Sequence, residues 1–142
     1  MRAFSIVVPR AVEADLRATD ARYSPRLYPD TALFDQVRDQ LQDPPDPEPA
    51  PLDRIGAGEA AAIALSRALG ATLLINDHRP AEVARNLGLA VVSCPGMIVL
   101  ARSQQLIAAH MAQAMLRMCG QRGTSPGVIE EASRLLAALE AD

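Results

Sequence analysis

Apolar residues along this chain come at two spacings, and the two alternate. Residues 4–8 (FSIVV) are a short, β-branched run ended by Pro9, which predicts a buried strand. Pro9 then suits the first turn of a helix carrying Val12, Leu16 and the acids Glu13 and Asp15. Residues 20–30 hold Ser24, Pro25 and Pro29 and predict a loop. Leu33, Phe34, Val37 and Leu41 recur at helical spacing and predict a helix over 31–42. Residues 43–51 (DPPDPEPAP) exclude helix and central strand, because Pro fixes φ and lacks the backbone donor. They predict a semi-rigid surface connection.

Residues 56–70 (GAGEAAAIALSRALG) are apolar nearly all round at their centre, so they predict a helix packed inside the domain, with Gly70 as its stop. An apolar strand follows at 72–75. Asn76-Asp77-His78-Arg79-Pro80 then turns into a short helix with Val83, Ala84 and Leu87, ended by Gly88. Residues 89–92 are another all-apolar strand, and Ser93-Cys94-Pro95-Gly96 leads a helix to about Ser103. Two further helices predict a C-terminal pair over 107–140. One shows Ile107, Met111, Met115 and Met118 on a single face, read first as core and otherwise as a partner interface. The other starts at Ser125-Pro126 and carries Val128, Ile129, Ala132, Leu135, Leu136 and Leu139. That face is too long to leave in water, so it packs within the chain or, alternatively, against a second copy or a small partner. Apolar strands alternating with helices predict an α/β fold with a mostly parallel sheet covered on both faces.

The chain has 142 residues, enough for a single domain over 1–142. Aromatic residues are 3% and Trp is absent, so the core falls to Ala, Leu, Ile, Val and Met. All fourteen basic residues are Arg, and the net charge is −3. A negative net charge argues against coating nucleic acid by bulk attraction but leaves room for a local basic rim. Cys94 and Cys119 show no metal-ligand spacing with His78 or His110. Free thiols, no membrane-length apolar run and no secretory leader predict a cytoplasmic protein.

Two motifs compete around Gly56. Gly56-Ala57-Gly58-Glu59-Ala60-Ala61 fits the outline of a dinucleotide-binding fingerprint, with Asp77 further on. Its context is wrong, because PDPEPAPLDRI rather than a buried strand precedes it. Glu59 would also place a carboxylate where a pyrophosphate should sit. The other constellation is acidic. Glu59 falls in the first turn of its helix, Asp77 at the end of a strand, and Asp15 beside Leu16 on the first helix. Sites in open parallel sheets form at the carboxyl ends of strands, and converging carboxylates need a cation such as Mg²⁺ or Mn²⁺ to join them. Local roles compete with this. Glu59 can be a favourable first-turn acid, worth about 0.3–1 kcal/mol. Asp77 can cap the next helix, and Asp15 can be a solvated helix residue. Spacing alone favours the local roles.

The segments GAGEAAAIALSRALGATLLINDHRPAEVARNLGLAVVS, PGMIVLARSQQLI and VVPRAVEADL together resemble a family of prokaryotic PIN-domain-like proteins. The resemblance implies a three-layer α/β/α fold and metal-dependent endoribonuclease activity, often as the toxin of a toxin–antitoxin pair. It maps the family's metal and catalytic acids onto Asp15, Glu59 and Asp77. It also makes Arg79 a candidate phosphate contact, RNA the substrate and an antitoxin protein a partner. Asn76 stands where such proteins often carry a further acid. PIN domains begin with a strand bearing an Asp, and the resemblance starts after it. The central strand and a fourth acid are therefore expected to be missing, through a start codon placed too far downstream. An active nuclease and a non-catalytic binding module with the same fold both stay open.

Overall fold

The computed structural model describes residues 4–20, 35–42 and 54–141. Of the loop expected over 20–30, Asp20 instead ends a helix; the rest of it and the Pro-rich connection at 43–51 lie outside the described residues. The described residues group into two compact units, within Met1–Leu73 and Asp77–Ala90, and within Leu74–Asn76 and Val91–Asp142.

In the first unit, β1 is Val8–Pro9 and leads straight into helix α1, Arg10–Asp20. The expected strand over 4–8 is thus reduced to its end. Pro9 offers no N–H, which limits how far a ladder can run there. The expected helix over 31–42 is corrected within the described residues. Asp35–Gln40 is a 3-10 helix, and Leu41–Gln42 is strand β2. Leu41 lies opposite Val8 in parallel register. The helical spacing of Val37 and Leu41 was overruled because β1 takes Leu41 as its ladder partner, and backbone groups need partners before side chains choose a face.

Helix α2, Ala57–Leu69, buries Gly58, Ala60, Ala61, Ile63, Ala64, Leu65 and Ser66. Small side chains let it pack closely on α1. It stops at Gly70, whose φ of 60° is left-handed and costs glycine little. The Ser66 hydroxyl, inside the domain, donates to the Ala71 carbonyl at 2.6 Å and leaves no buried polar orphan. Strand β3, Leu73–Leu74, precedes helix α3, His78–Asn86, and β4 is Val91–Val92. Leu73 N–H donates to the Ala90 carbonyl, and Ile75 N–H to that of Val92. Donor and acceptor advance together by two, which is a parallel pairing.

The second unit holds helices α4, Cys94–Ser103, α5, Ala109–Gln121, and α6, Pro126–Ala141. Ser93 caps α4 by accepting the Gly96 N–H at 3.1 Å, and Asn76 Oδ1 accepts the Cys94 N–H at 2.8 Å. Ile98, Ala112, Leu116, Ala132 and Leu136 form its core, with Val99, Ile107 and Cys119 packed against it. Ala132 and Leu136 of the α6 face thus pack within the chain as expected, whereas Val128, Leu135 and Leu139 of the same face are left exposed, which corrects the rest of that expectation. The Met face is a correction. Met111, Met115 and Met118 are 47%, 41% and 52% exposed. The buried track of α5 lies one residue further along, through Ala112 and Leu116, because only small or compact side chains fit between α5 and α6.

Candidate functional site

The acids gather around the start of α2. Asp15 is in the middle of α1, and its Oδ2 accepts the Gly58 N–H at 2.9 Å. Glu59 is the third residue of α2, and its Oε2 reaches back to accept the Gly56 N–H at 2.9 Å. Gly56 has no side chain to return the bond, so this is one half of a capping box. Two carboxylates thus serve donors at a helix end that would otherwise lack partners. They sit where the helix dipole favours negative charge.

Gly58 is what admits Asp15. A Cβ at that position would press on Asp15 Oδ2 and stand 3.3 Å from Val12 Cα. This contact joins residues 43 apart and is hidden from local sequence pattern. Its one signal was a glycine inside an Ala-rich helix, where alanine would be the better helix former.

Asp77 is the N-cap residue of α3 and is exposed. Its carbonyl accepts the Ala81 N–H at 3.1 Å, while its carboxylate makes no capping bond. The local role weighed for it, a side-chain cap, is not how the side chain is used. Its neighbour Asn76 spends Oδ1 on the Cys94 N–H. His78, Arg79 and His110 are exposed.

The structure therefore brings Asp15 and Glu59 to one helix end, and sets Asp77 at the tip of another helix in the same unit. Among the described residues, no three His, Cys, Asp or Glu side chains form a group able to hold a metal ion. The fit is one of chemistry more than geometry: an oxygen-only donor set suits Mg²⁺ or Mn²⁺, but two of its members are drawn together rather than three.

A family model described as a PIN domain matches residues 2–140. The chain belongs to the PIN-domain family. PIN domains generally use divalent metal ions, and the family points to nuclease or nucleic-acid-binding chemistry. No curated protein and no solved structure gives a significant match. Membership also retires the dinucleotide-binding outline at Gly56. In this PIN domain Glu59 itself occupies the helix end that a pyrophosphate would need. Among the described residues, no helix is long and apolar enough to cross a membrane.

Proposed function

We propose that this PIN domain is a metal-dependent endoribonuclease acting in the cytoplasm, with Asp15, Glu59 and Asp77 as its acidic site. The observation that carries the reading is the Asp15–Gly58 bond. It draws an acid from α1 to the first turn of α2, where Glu59 already stands. The exposed, uncapped carboxylate of Asp77 supplies the third acid. Mg²⁺ or Mn²⁺ held by these residues would polarise water and stabilise charge on a phosphodiester. The protein's own contribution is to fix two carboxylates by backbone N–H groups before any ligand arrives. Arg79, in the first turn of α3, is placed near Asp77 in sequence and would meet a substrate phosphate. The whole of 1–142 acts as one domain with the three-layer packing of its family. RNA is its substrate and a prokaryotic antitoxin its natural inhibitor.

The test is cleavage of a labelled RNA with Mn²⁺ added. Asp77→Asn should abolish cleavage, while Glu130→Gln, a change to an exposed acid on α6, should leave it intact. Equal activity in the two variants would remove Asp77 from the site. A second reading, a non-catalytic binding module, is favoured by one observation, that no three-ligand cluster stands among the described residues. Under that reading RNA binds without cleavage, and calorimetric titration with Mn²⁺ gives no heat.

A further inference from the structure

Cys94 and Cys119 are distant in sequence but come to one place in the second unit. Cys94 is the first residue of α4, one turn before the buried Ile98 on the same side of the helix. Cys119 lies in the last turn of α5, one turn after the buried Leu116. It packs against the core cluster that holds both Leu116 and Ile98. The inward track of α4 thus begins with a cysteine, and that of α5 ends with one.

Helices α4 and α5 pack on each other and are joined by the short turn 104–108, so they run antiparallel. The start of α4 is therefore level with the end of α5. Counting out from Leu106, the middle of the turn, Ile98 falls between Ala112 and Leu116, its neighbours in the core. Cys94 and Cys119 fall at nearly equal distances from the same point. By the spacing that fits Ile98 to its core neighbours, the two thiols come opposite each other. Both are half-buried and free. Burial pushes the Cys119 thiol up, and Cys94 pushes it further. One thiol weighs on another only at short range, since charges are screened beyond about 10 Å. Both backbones are also held in place. The Cys94 N–H donates to Asn76 Oδ1 at 2.8 Å, and the fully buried Pro95 anchors the next position. The Cys119 carbonyl accepts the Thr124 N–H at 3.1 Å. A disulfide needs Cα atoms roughly 4.4–6.8 Å apart and converging Cβ atoms, so two fixed helix ends that face each other suit one.

We propose that Cys94 and Cys119 are a peroxide-responsive thiol pair that closes a reversible disulfide between the start of α4 and the end of α5. The Cys94 thiolate attacks one oxygen of a peroxide. The O–O bond breaks, and hydroxide leaves and takes up the proton that the thiol gave up, forming water. Cys94 is then a sulfenic acid. The Cys119 sulfur attacks the sulfenic sulfur, the S–OH bond breaks, and that hydroxide leaves as water with the proton from Cys119. Two thiols and one peroxide become one disulfide and two waters. Cys119 takes the second step, because its raised thiol keeps its proton near neutral pH and is the poorer first nucleophile. A small dithiol returns the two electrons and reopens the bond. In a reducing compartment such a pair rests as thiols and closes only under oxidant, as a sensor rather than a staple. The bond would tie together two helices whose packing builds the core of the second unit.

The test uses the full chain, reduced, desalted and then treated with hydrogen peroxide. The wild type should lose both thiols to a chromogenic thiol reagent and weigh two hydrogens less by intact mass. It should run as a single chain on a non-reducing gel and regain both thiols in dithiothreitol. Peptide mapping should join Cys94 to Cys119. The oxidised form should melt roughly 5 °C or more above the reduced form, because a cross-link restricts the unfolded chain. Cys94→Ser and Cys119→Ser, checked for fold by circular dichroism, should each abolish the mass loss and the rise in melting temperature. Wild-type thiols that survive peroxide, that pass to sulfinic acid with no cross-link, or that pair only between chains overturn the proposal. So does an oxidised form that melts below the reduced one, since the helices would then have to part for the bond to close.

Discussion

Gly58 and Gly127 show how one residue type takes opposite meanings from its surroundings. Both are the second residue of a helix, α2 and α6 respectively. Around Gly127 nothing lies within 4 Å of where a Cβ would be. Gly127→Ala should therefore stabilise the protein by about 0.4–1 kcal/mol, by reducing the freedom of the unfolded chain. At Gly58 the same change meets Val12 Cα at 3.3 Å and the Asp15 carboxylate. Backbone cannot swing aside, and moving Asp15 forfeits its bond to the Gly58 N–H. Gly58→Ala should cost about 1–3 kcal/mol. Chemical denaturation of both variants checks the pair, and two shifts of the same sign would refute the close approach of α1. Cys119 makes a second point at this scale. Burial pushes its thiol up, the neighbouring Cys94 adds to this, and Arg122 opposes. Thiolate is the reactive form. In a Cys94→Ser background, Cys119 should react with iodoacetamide more slowly than a free small thiol near neutral pH and catch up only in alkali. An equal rate at neutral pH would contradict the burial.

Helix ends carry most of the element-scale design. The start of α4 has two acceptors, Ser93 Oγ on the Gly96 N–H and Asn76 Oδ1 on the Cys94 N–H. Ser93→Ala should cost about 0.5–2 kcal/mol in thermal or urea unfolding. Asn76→Asp keeps an acceptor in place and adds charge that the helix dipole favours by about 0.3–1 kcal/mol. It should therefore hold or raise stability, and a clear drop would show that the amide is needed for something beyond the Cys94 N–H. Elements closed by local chemistry were the legible ones. Gly70 ends α2, and Ser93 with Pro95 opens α4, where their types suggested. The segment 31–42 misled because Leu41 answers to Val8, 33 residues earlier by the register. No local pattern reports such a partner.

At the scale of the molecule, small side chains set the packing. The buried apolar side chains among the described residues are alanines, leucines, isoleucines and prolines, with no methionine among them. The methionines of α5 are left for the surface, as are Val128, Leu135 and Leu139 of α6.

The sequence by itself determined the alternation of apolar strands and helices, the Ala-rich helix from Gly56 to Gly70, the pairing of the last two helices and the resemblance to PIN domains that the family match bears out. These follow from periodicity and from Gly, Pro and Ser at turns, which act within a few residues of themselves. Tertiary structure alone decided three matters. It bonded Asp15 to Gly58, 43 residues apart, because α1 and α2 meet where glycine leaves room. It turned the Met stripe outward, because the track one residue along is narrow enough to bury. It left Asp77 at the N-cap of its helix with a side chain that makes no capping bond. Each depends on which surfaces meet, and that is fixed by shape and by backbone partners far away in the chain.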